Sequence, residues 1–511
     1  MPVDEDVLLS QHPALRESDI TPSPDQRHLL YARGYLLTRT PVDLDLGEHW
    51  GRLRFGDRHL TWDRRTPLVL AEHQQVTVLL LGRVVHPRRG TADPAVVAEH
   101  LVRARARGRE AYARELDEVV GRYVVLDRGP EGTTLQTDAA AMRSCYHDAT
   151  ASVLASHSRL AAETVGDPRP SRFPVDWLRR TRALTYPGRY TDFAGIHLLT
   201  PSTELRLEDA RISRTGPLPV TELVSASLAA KRLLPRLQDQ LTLLAEGAPP
   251  LISLTGGLDS RTTLALSRPI ADRAEYFTFV RPYLGEADDS VADLRTAREL
   301  AATFGLHHTT VPVEGPLVPG PLASVMGRNI ARQHGRSVSA AYREVLPPDR
   351  VHVRSNLYEV GRAVYLRRGY TGELTPQVMA ETLVARGSEP PEPAVVEAFE
   401  EWVDATSFAA PEGVDAYDMF YWEHRMAAWL NSHLTESDIA HDTHILVNSR
   451  AIFRHLLSVS QGQRRWGKVF DHLVRLSWPE VYDIPVNGRD RSVPEEPARP
   501  APAPTDGPAA G

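Results

Sequence analysis

Residues 251–262, LISLTGGLDSRT, combine the residue types and spacing most suited to chemistry in this chain. Two hydroxyls and a carboxylate, Thr255, Ser260 and Asp259, surround Gly256 and Gly257. The paired glycines let the main chain turn tightly and approach an anion. Residues 251–254 suit a short buried parallel strand, and 259–266 the first turns of a helix with Asp259 and Ser260 at its capped start. The free N–H groups and partial positive charge of such a helix start then face the loop, so a pyrophosphate fits there. No Lys follows the glycines, so this is not a G-x-x-x-x-G-K-[ST] loop. Phosphate neutralisation must come from main-chain donors, hydroxyls and a divalent metal. As bare text the same letters also spell ordinary strand–turn–helix architecture.

The segments around the loop say what positions it. Short apolar strands at 251–254, 276–280, 308–311 and 350–353 alternate with helical patterns at 223–244, 293–304, 376–385 and 393–403. That alternation predicts a mainly parallel sheet with helices on both faces, its ligand site at the strands' C-terminal ends. Residues 1–215 read differently. Short apolar or β-branched runs at 29–38, 76–85, 121–126, 133–137 and 152–155 are separated by turn residues and by one helix over about 95–115. The fold class is therefore α/β joined to α+β. The boundaries are 1–215 for the strand-rich domain, 216–492 for the parallel-sheet domain, and a Pro/Ala-rich disordered tail over 493–511.

The segment T-G-G-L-D-S-R resembles the S-G-G-x-D-S signature of N-type ATP pyrophosphatases, with Thr255 keeping the hydroxyl of the usual Ser. The following strand, acidic helix and strand are similar to the asparagine synthetase and β-lactam synthetase superfamily. The resemblance implies ATP as cofactor, held by Ser253, Thr255, Gly256, Gly257, Leu258, Asp259, Ser260 and Phe279. It also implies Mg2+ on Asp259 and on a second carboxylate from a G-x-G-x-D-E element. The matching place reads Ser355-Asn-Leu-Tyr-Glu359-Val-Gly361-Arg362, which leaves Glu359 as the one carboxylate. The family's catalytic Lys falls where this chain has Trp478 to Arg489, without a Lys. Either Arg489 or Arg491 stands in, electrostatically rather than as a proton donor, or this step is handled otherwise. In the block 421–429, Glu423 and Arg425, and further on Arg450, are expected on the substrate side, with Glu423 catalytic beside Arg489.

The N-terminal half resembles the glutaminase half of asparagine synthetases, an Ntn-type β-sandwich with helices. The resemblance rests on Leu79-Leu-Leu-Gly-Arg-Val-Val85, Leu116 to Val124, Thr137-Asp138 with Met142-Arg143 and Tyr146, and Gly188 to Gly195. Active members expose a cysteine nucleophile at the mature N-terminus, whereas this sequence begins Met1-Pro2-Val3. Cys145, the only cysteine, reads as a buried structural thiol. The domain is thus expected to be a degenerate glutaminase, with nitrogen coming from free ammonia or a substrate amine.

Composition narrows the partners. A net charge of −7 over 511 residues offers no basic field for nucleic acid. Lys occurs only at 231 and 468, so Arg carries nearly all the positive charge. One cysteine and no long apolar run fit a cytoplasmic chain with no disulfide and no membrane span. The expected activity is ATP-dependent amide-bond formation: a small carboxylate or peptide is adenylated and transferred to an amine, without glutamine. A homodimer is compatible with the sequence. The alternatives are a non-catalytic ATP- or partner-binding member of the family and, third, an RNA-modifying enzyme that needs a local basic patch.

Overall fold

The computed structural model describes residues 24–491 apart from 319, 331–334 and 384–389. The first half holds two antiparallel sheets of six described strands each. One is built from β1 (Tyr35–Thr38), β2 (Trp50–Phe55), β3 (Arg58–Asp63), β8 (Tyr146–Asp148), β9 (Val153–Ala155) and β10 (Ile196–Leu198) in the order β10-β8-β9-β1-β3-β2. The other contains β4 (Leu68–His73), β5 (Val76–Val85), β6 (Val120–Gly129), β7 (Gly132–Thr137), β11 (Thr203–Arg206) and β12 (Ile212–Arg214) in the order β12-β11-β7-β6-β5-β4. The period of two along β5 explains how they stack. Leu79 and Leu81 point into the layer between the sheets with Leu37, Leu60 and Leu126. Val78 and Leu80 point outward, under Leu101 of the helix Pro94–Ala106 and Leu116 of the helix Arg109–Asp117. The outer face of the first sheet is covered by Leu160 and Ala161 of the helix Ser158–Val165. Helix, sheet, sheet and helix thus form four layers, and each buried Leu contributes about 1.5–3 kcal/mol.

The second half is built on a parallel sheet of five described strands: β13 (Leu251–Ser253), β14 (Glu275–Val280), β15 (His308–Pro312), β16 (Val351–Val353) and β17 (Asp442–His444). Their order is β15-β14-β13-β16-β17, all neighbours parallel. Successive residues serve opposite faces. Leu251 and Phe277 pack with Ala341 and Tyr342 of the helix Arg336–Val345, while Ile252 and Tyr276 pack toward the helices Ala226–Leu244, Leu258–Leu266 and Asp289–Phe304. From β13 the chain first winds to one side and then returns to the other through β16. The crevice between the ends of β13 and β16 is therefore the topological switch point, where sheets of this kind take ligands.

Several elements differ from the sequence expectation. The run 29–38 yields only β1, because Pro24–Leu29 is a 3₁₀ turn and the left-handed backbone at Tyr31 (φ 51°) and Arg33 (φ 55°) breaks extended structure before Tyr35. The helix over 95–115 is two helices, split at Gly108 with φ 118°. Cys145 lies just before β8 and is fully buried, which pushes its thiol up to about 12. Residues 421–430 are helical as expected, but in the wider π form. The tail over 493–511 and the N-terminal Met1-Pro2-Val3 lie outside the described residues.

The apolar core does not stop at residue 215. Val85, Val120 and Met142 from the first half share one cluster with Ile252, Trp422 and Phe453 from the second. Buried charges cross the same boundary. Arg122 forks onto Asp438 (Nη2–Oδ2 2.7 Å), and Asp442 of β17 receives Arg83 at 3.2 Å and Arg143 at 3.3 Å.

Candidate active site

The loop after β13 is organised by its own hydroxyls. Thr255 Oγ1 lies 2.8 Å from Ser260 Oγ, and the Thr255 amide donates to Ser260 Oγ at 3.2 Å. Ser260 therefore folds back onto the loop rather than capping the helix, whose N-cap is Gly257 with no side-chain cap. Neither glycine needs a positive φ. What Gly256 supplies is room: a Cβ there would lie 3.2 Å from Asp293 Oδ1 and 3.4 Å from Asn487 Oδ1. The Gly256 amide donates to Asp293 at 2.7 Å, and its carbonyl accepts from the Asn487 amide at 3.0 Å. One side of the loop is thus fixed by the helix Asp289–Phe304 and the other by the C-terminal segment.

The loop forms the floor of a cleft of about 610 Å³. That volume lies within the usual range for small-molecule sites. Its walls come from the ends of β13, β14 and β16 and from the segments around residues 465 and 489. Six arginines line it (Arg354, Arg362, Arg367, Arg465, Arg489 and Arg491) against one carboxylate, Asp259. Arg362 Nη1 holds both Asp259 oxygens, at 2.8 and 3.0 Å, and Arg491 reaches Asp471 at 3.4 Å. The other four make no ion pair with the described residues. Burial pushes Asp259 upward against the pull of Arg362 and Arg367. Burial likewise lowers Arg354. Trp466, 54% exposed, stands on the rim with the Arg465 guanidinium 5.0 Å from its ring centre. So dense a set of guanidinium groups, which carry fixed planar donors, suits a ligand rich in phosphate or carboxylate oxygens.

The residues do not fit the Mg2+ site that the resemblance implies. Asp259, the one carboxylate facing the cleft, is already neutralised by Arg362. Glu359 does not line the cleft. Its Oε2 is buried without a hydrogen-bond partner, and burial together with the Asp259 charge pushes its carboxyl up to about 7. Among the described residues no three His, Cys, Asp or Glu side chains converge as a metal site. Six nearby guanidinium groups oppose a further cation.

Of the other residues singled out by the sequence, Ser253, Thr255, Gly257, Leu258, Asp259, Ser260, Phe279 and Arg489 all line this one cleft. Gly256 lies behind it, turned to Asp293 and Asn487. Glu423 is elsewhere. It is 1% exposed, on the π-helix Tyr421–Leu430, and its two oxygens accept from Arg214 of β12 at 2.8 Å each. The expectation that it meets substrate is corrected: its carboxyl ties the second half to the first. Arg450 donates to the Thr137 carbonyl at 3.1 Å in the same boundary. Asp138 accepts from the amides of Met142 (2.9 Å) and Arg143 (2.8 Å) and from Asn448 Nδ2 (2.9 Å), which makes it an organiser of its turn. Reasoning from sequence did not single out Arg367, Arg465 or Trp466. The only available signal was an aromatic placed next to arginine, Arg465-Trp466, in an otherwise polar stretch.

No family model matches the chain, and no curated protein matches it. The resemblance at 255–260 therefore rests on that segment and its surroundings alone. Among solved structures, the chain aligns with a glutamine phosphoribosylpyrophosphate amidotransferase from B. subtilis complexed with ADP and GMP. Identity is 11% over 76% of this chain and 85% of that one, with a TM-score of 0.22. A glutamine-dependent NAD+ synthetase from Acinetobacter baumannii in complex with ADP aligns with 13% identity over 45% of this chain and 43% of that one, at a TM-score of 0.19. Likenesses with TM-scores this low define no common fold.

Proposed function

We propose that the chain is a nucleotide-dependent ligase that activates a carboxylate as its adenylate and passes the acyl group to an amine. One observation carries the reading: the Thr255–Ser260 loop opens at the switch point of the parallel sheet into a cleft with six arginines and one carboxylate. In the proposed reaction a substrate carboxylate oxygen attacks the α-phosphorus of ATP and the bond to the bridging oxygen breaks, releasing pyrophosphate. The amine then attacks the acyl carbon, loses a proton, and displaces AMP. The chain's own part is electrostatic. The amides at the uncapped start of the helix Leu258–Leu266 orient the phosphates, while Arg489 and its neighbours meet the charge that grows on pyrophosphate as it leaves. Glu423, buried on Arg214, takes no part.

The single cysteine is buried away from solvent, which supports free ammonia or a substrate amine rather than glutamine as the nitrogen source. A second reading, a nucleotide-binding protein without catalysis, is favoured by one feature, the neutralisation of Asp259 by Arg362.

The two separate on exchange of labelled pyrophosphate into ATP across a panel of amino acids and small carboxylic acids, with Asp259→Ala alongside. We expect exchange to depend on one class of acid and to disappear in the variant. ATP binding with no exchange for any acid would leave the binding-protein reading.

A further inference from the structure

The arginine that holds Asp259 is itself built into the chain, not a passing surface partner. It ends a 3₁₀ segment, Tyr358–Arg362, that follows β16 (Val351–Val353) after a short link over 354–357. The residues on either side of that segment, Leu357 (φ 67°) and Ala363 (φ 45°), both take the left-handed backbone conformation without being glycine. Each costs about 1–2 kcal/mol. Two such residues bracketing five others, with Leu357 fully buried, fix where Arg362 projects. Its Nη1 is centred between the two Asp259 oxygens at 2.8 and 3.0 Å, as a cation ligated by that carboxylate would be.

We propose, building on the reading of this cleft as a nucleoside triphosphate site, that the polyphosphate is taken up without a metal, the Arg362 guanidinium standing where a divalent cation would otherwise bridge Asp259 and the phosphates. The charge balance favours it. Free ATP carries about four negative charges at neutral pH, which a divalent cation normally halves. The cleft presents six guanidinium groups; with Arg362 held by Asp259 and Arg491 by Asp471, four are left without an ion pair among the described residues. Those four match the charge of the uncomplexed nucleotide, whereas its metal complex would leave guanidinium groups crowded and uncompensated. A guanidinium can also donate to Asp259 with one nitrogen and to a phosphate oxygen with another, which gives the bridging geometry without ligand exchange.

The test is calorimetric titration of the full chain with the α,β-methylene analogue of ATP, once in EDTA and once with excess Mg2+. The expected result is an affinity in EDTA within about tenfold of that with Mg2+, or tighter. In Arg362→Ala the metal-free affinity should fall by about tenfold or more, with part of the loss restored by Mg2+ acting on the freed Asp259. Mn2+ titrated into the wild type without nucleotide should keep the electron-spin resonance spectrum of the free ion. Binding that collapses by about tenfold or more in EDTA, or Mn2+ captured by the wild type but not by Asp259→Asn, overturns the metal-free inference and leaves the ligase reading standing. Absence of binding in both buffers overturns the ligase reading too.

Discussion

At the residue scale, two residues expected to share a site turn out to do unrelated work. Arg489 faces the cleft without a carboxylate partner among the described residues, whereas Glu423 is sealed against Arg214. Arg489→Ala should therefore weaken nucleotide binding by about tenfold with little change in Tm, because an exposed cleft arginine adds little to folding. Glu423→Gln should do the reverse. Burial, opposed by Arg214, pushes the Glu423 carboxyl from its ordinary 4.5 up to about 7. The folded chain then binds an extra proton between those two values, so this residue's contribution to stability is greatest below about 4.5 and declines as pH rises toward 7. A plot of Tm against pH should lose that part of its slope in Glu423→Gln, with nucleotide affinity unchanged. An altered affinity would return Glu423 to the site.

At the scale of elements, the helix Leu258–Leu266 carries a residue whose function is to hold another segment. Arg261 is fully buried and donates to the carbonyls of Val481, Ile484 (2.7 Å) and Pro485 (3.3 Å), pinning the stretch that brings Arg489 and Arg491 to the cleft. An ammonium cannot span three carbonyls as the guanidinium fork does. Arg261→Lys is thus expected to weaken nucleotide binding by at least about tenfold and to open residues 485–491 to limited proteolysis, though it touches no ligand. An unchanged cleavage pattern would count against this. Such roles also mark where the sequence could be read and where it could not. The strand Val76–Val85 is legible to both ends because both its faces are apolar and covered. The strand Asp442–His444 is not, since Asp-Thr-His resembles a loop until Arg83, Arg143 and Gln240 are brought against it. The loop 255–260 is legible because its chemistry is local. Its countercharge, Arg362, lies 103 residues further on and meets Asp259 only because β16 pairs directly with β13.

At the scale of the whole molecule, the two halves hold each other through buried charge and a continuous core, and should unfold together. Burial alone would raise Asp442, but Arg83, Arg143, Arg33 and Arg122 overcome it and hold the carboxyl far below its ordinary range. Its stabilising contribution is present above the unfolded value of 3.8 and is lost as pH falls through the folded one. Asp442→Asn leaves two arginines facing a buried neutral amide, so about 3 kcal/mol of stability should be lost at neutral pH. The urea midpoint should fall in one transition seen alike by far-UV and near-UV circular dichroism. A second, separate transition would mean that the halves fold independently. The distribution of indole rings has a different use. Of eight tryptophans, Trp466 alone is largely open to water, while Trp50, Trp177, Trp402, Trp422 and Trp478 are buried. Acrylamide should therefore quench chiefly the one ring on the lip of the cleft, next to Arg465. The unlabelled protein thus carries an intrinsic optical gauge of whether its mouth is open or filled, read over the weaker response of the half-buried Trp62 and Trp429.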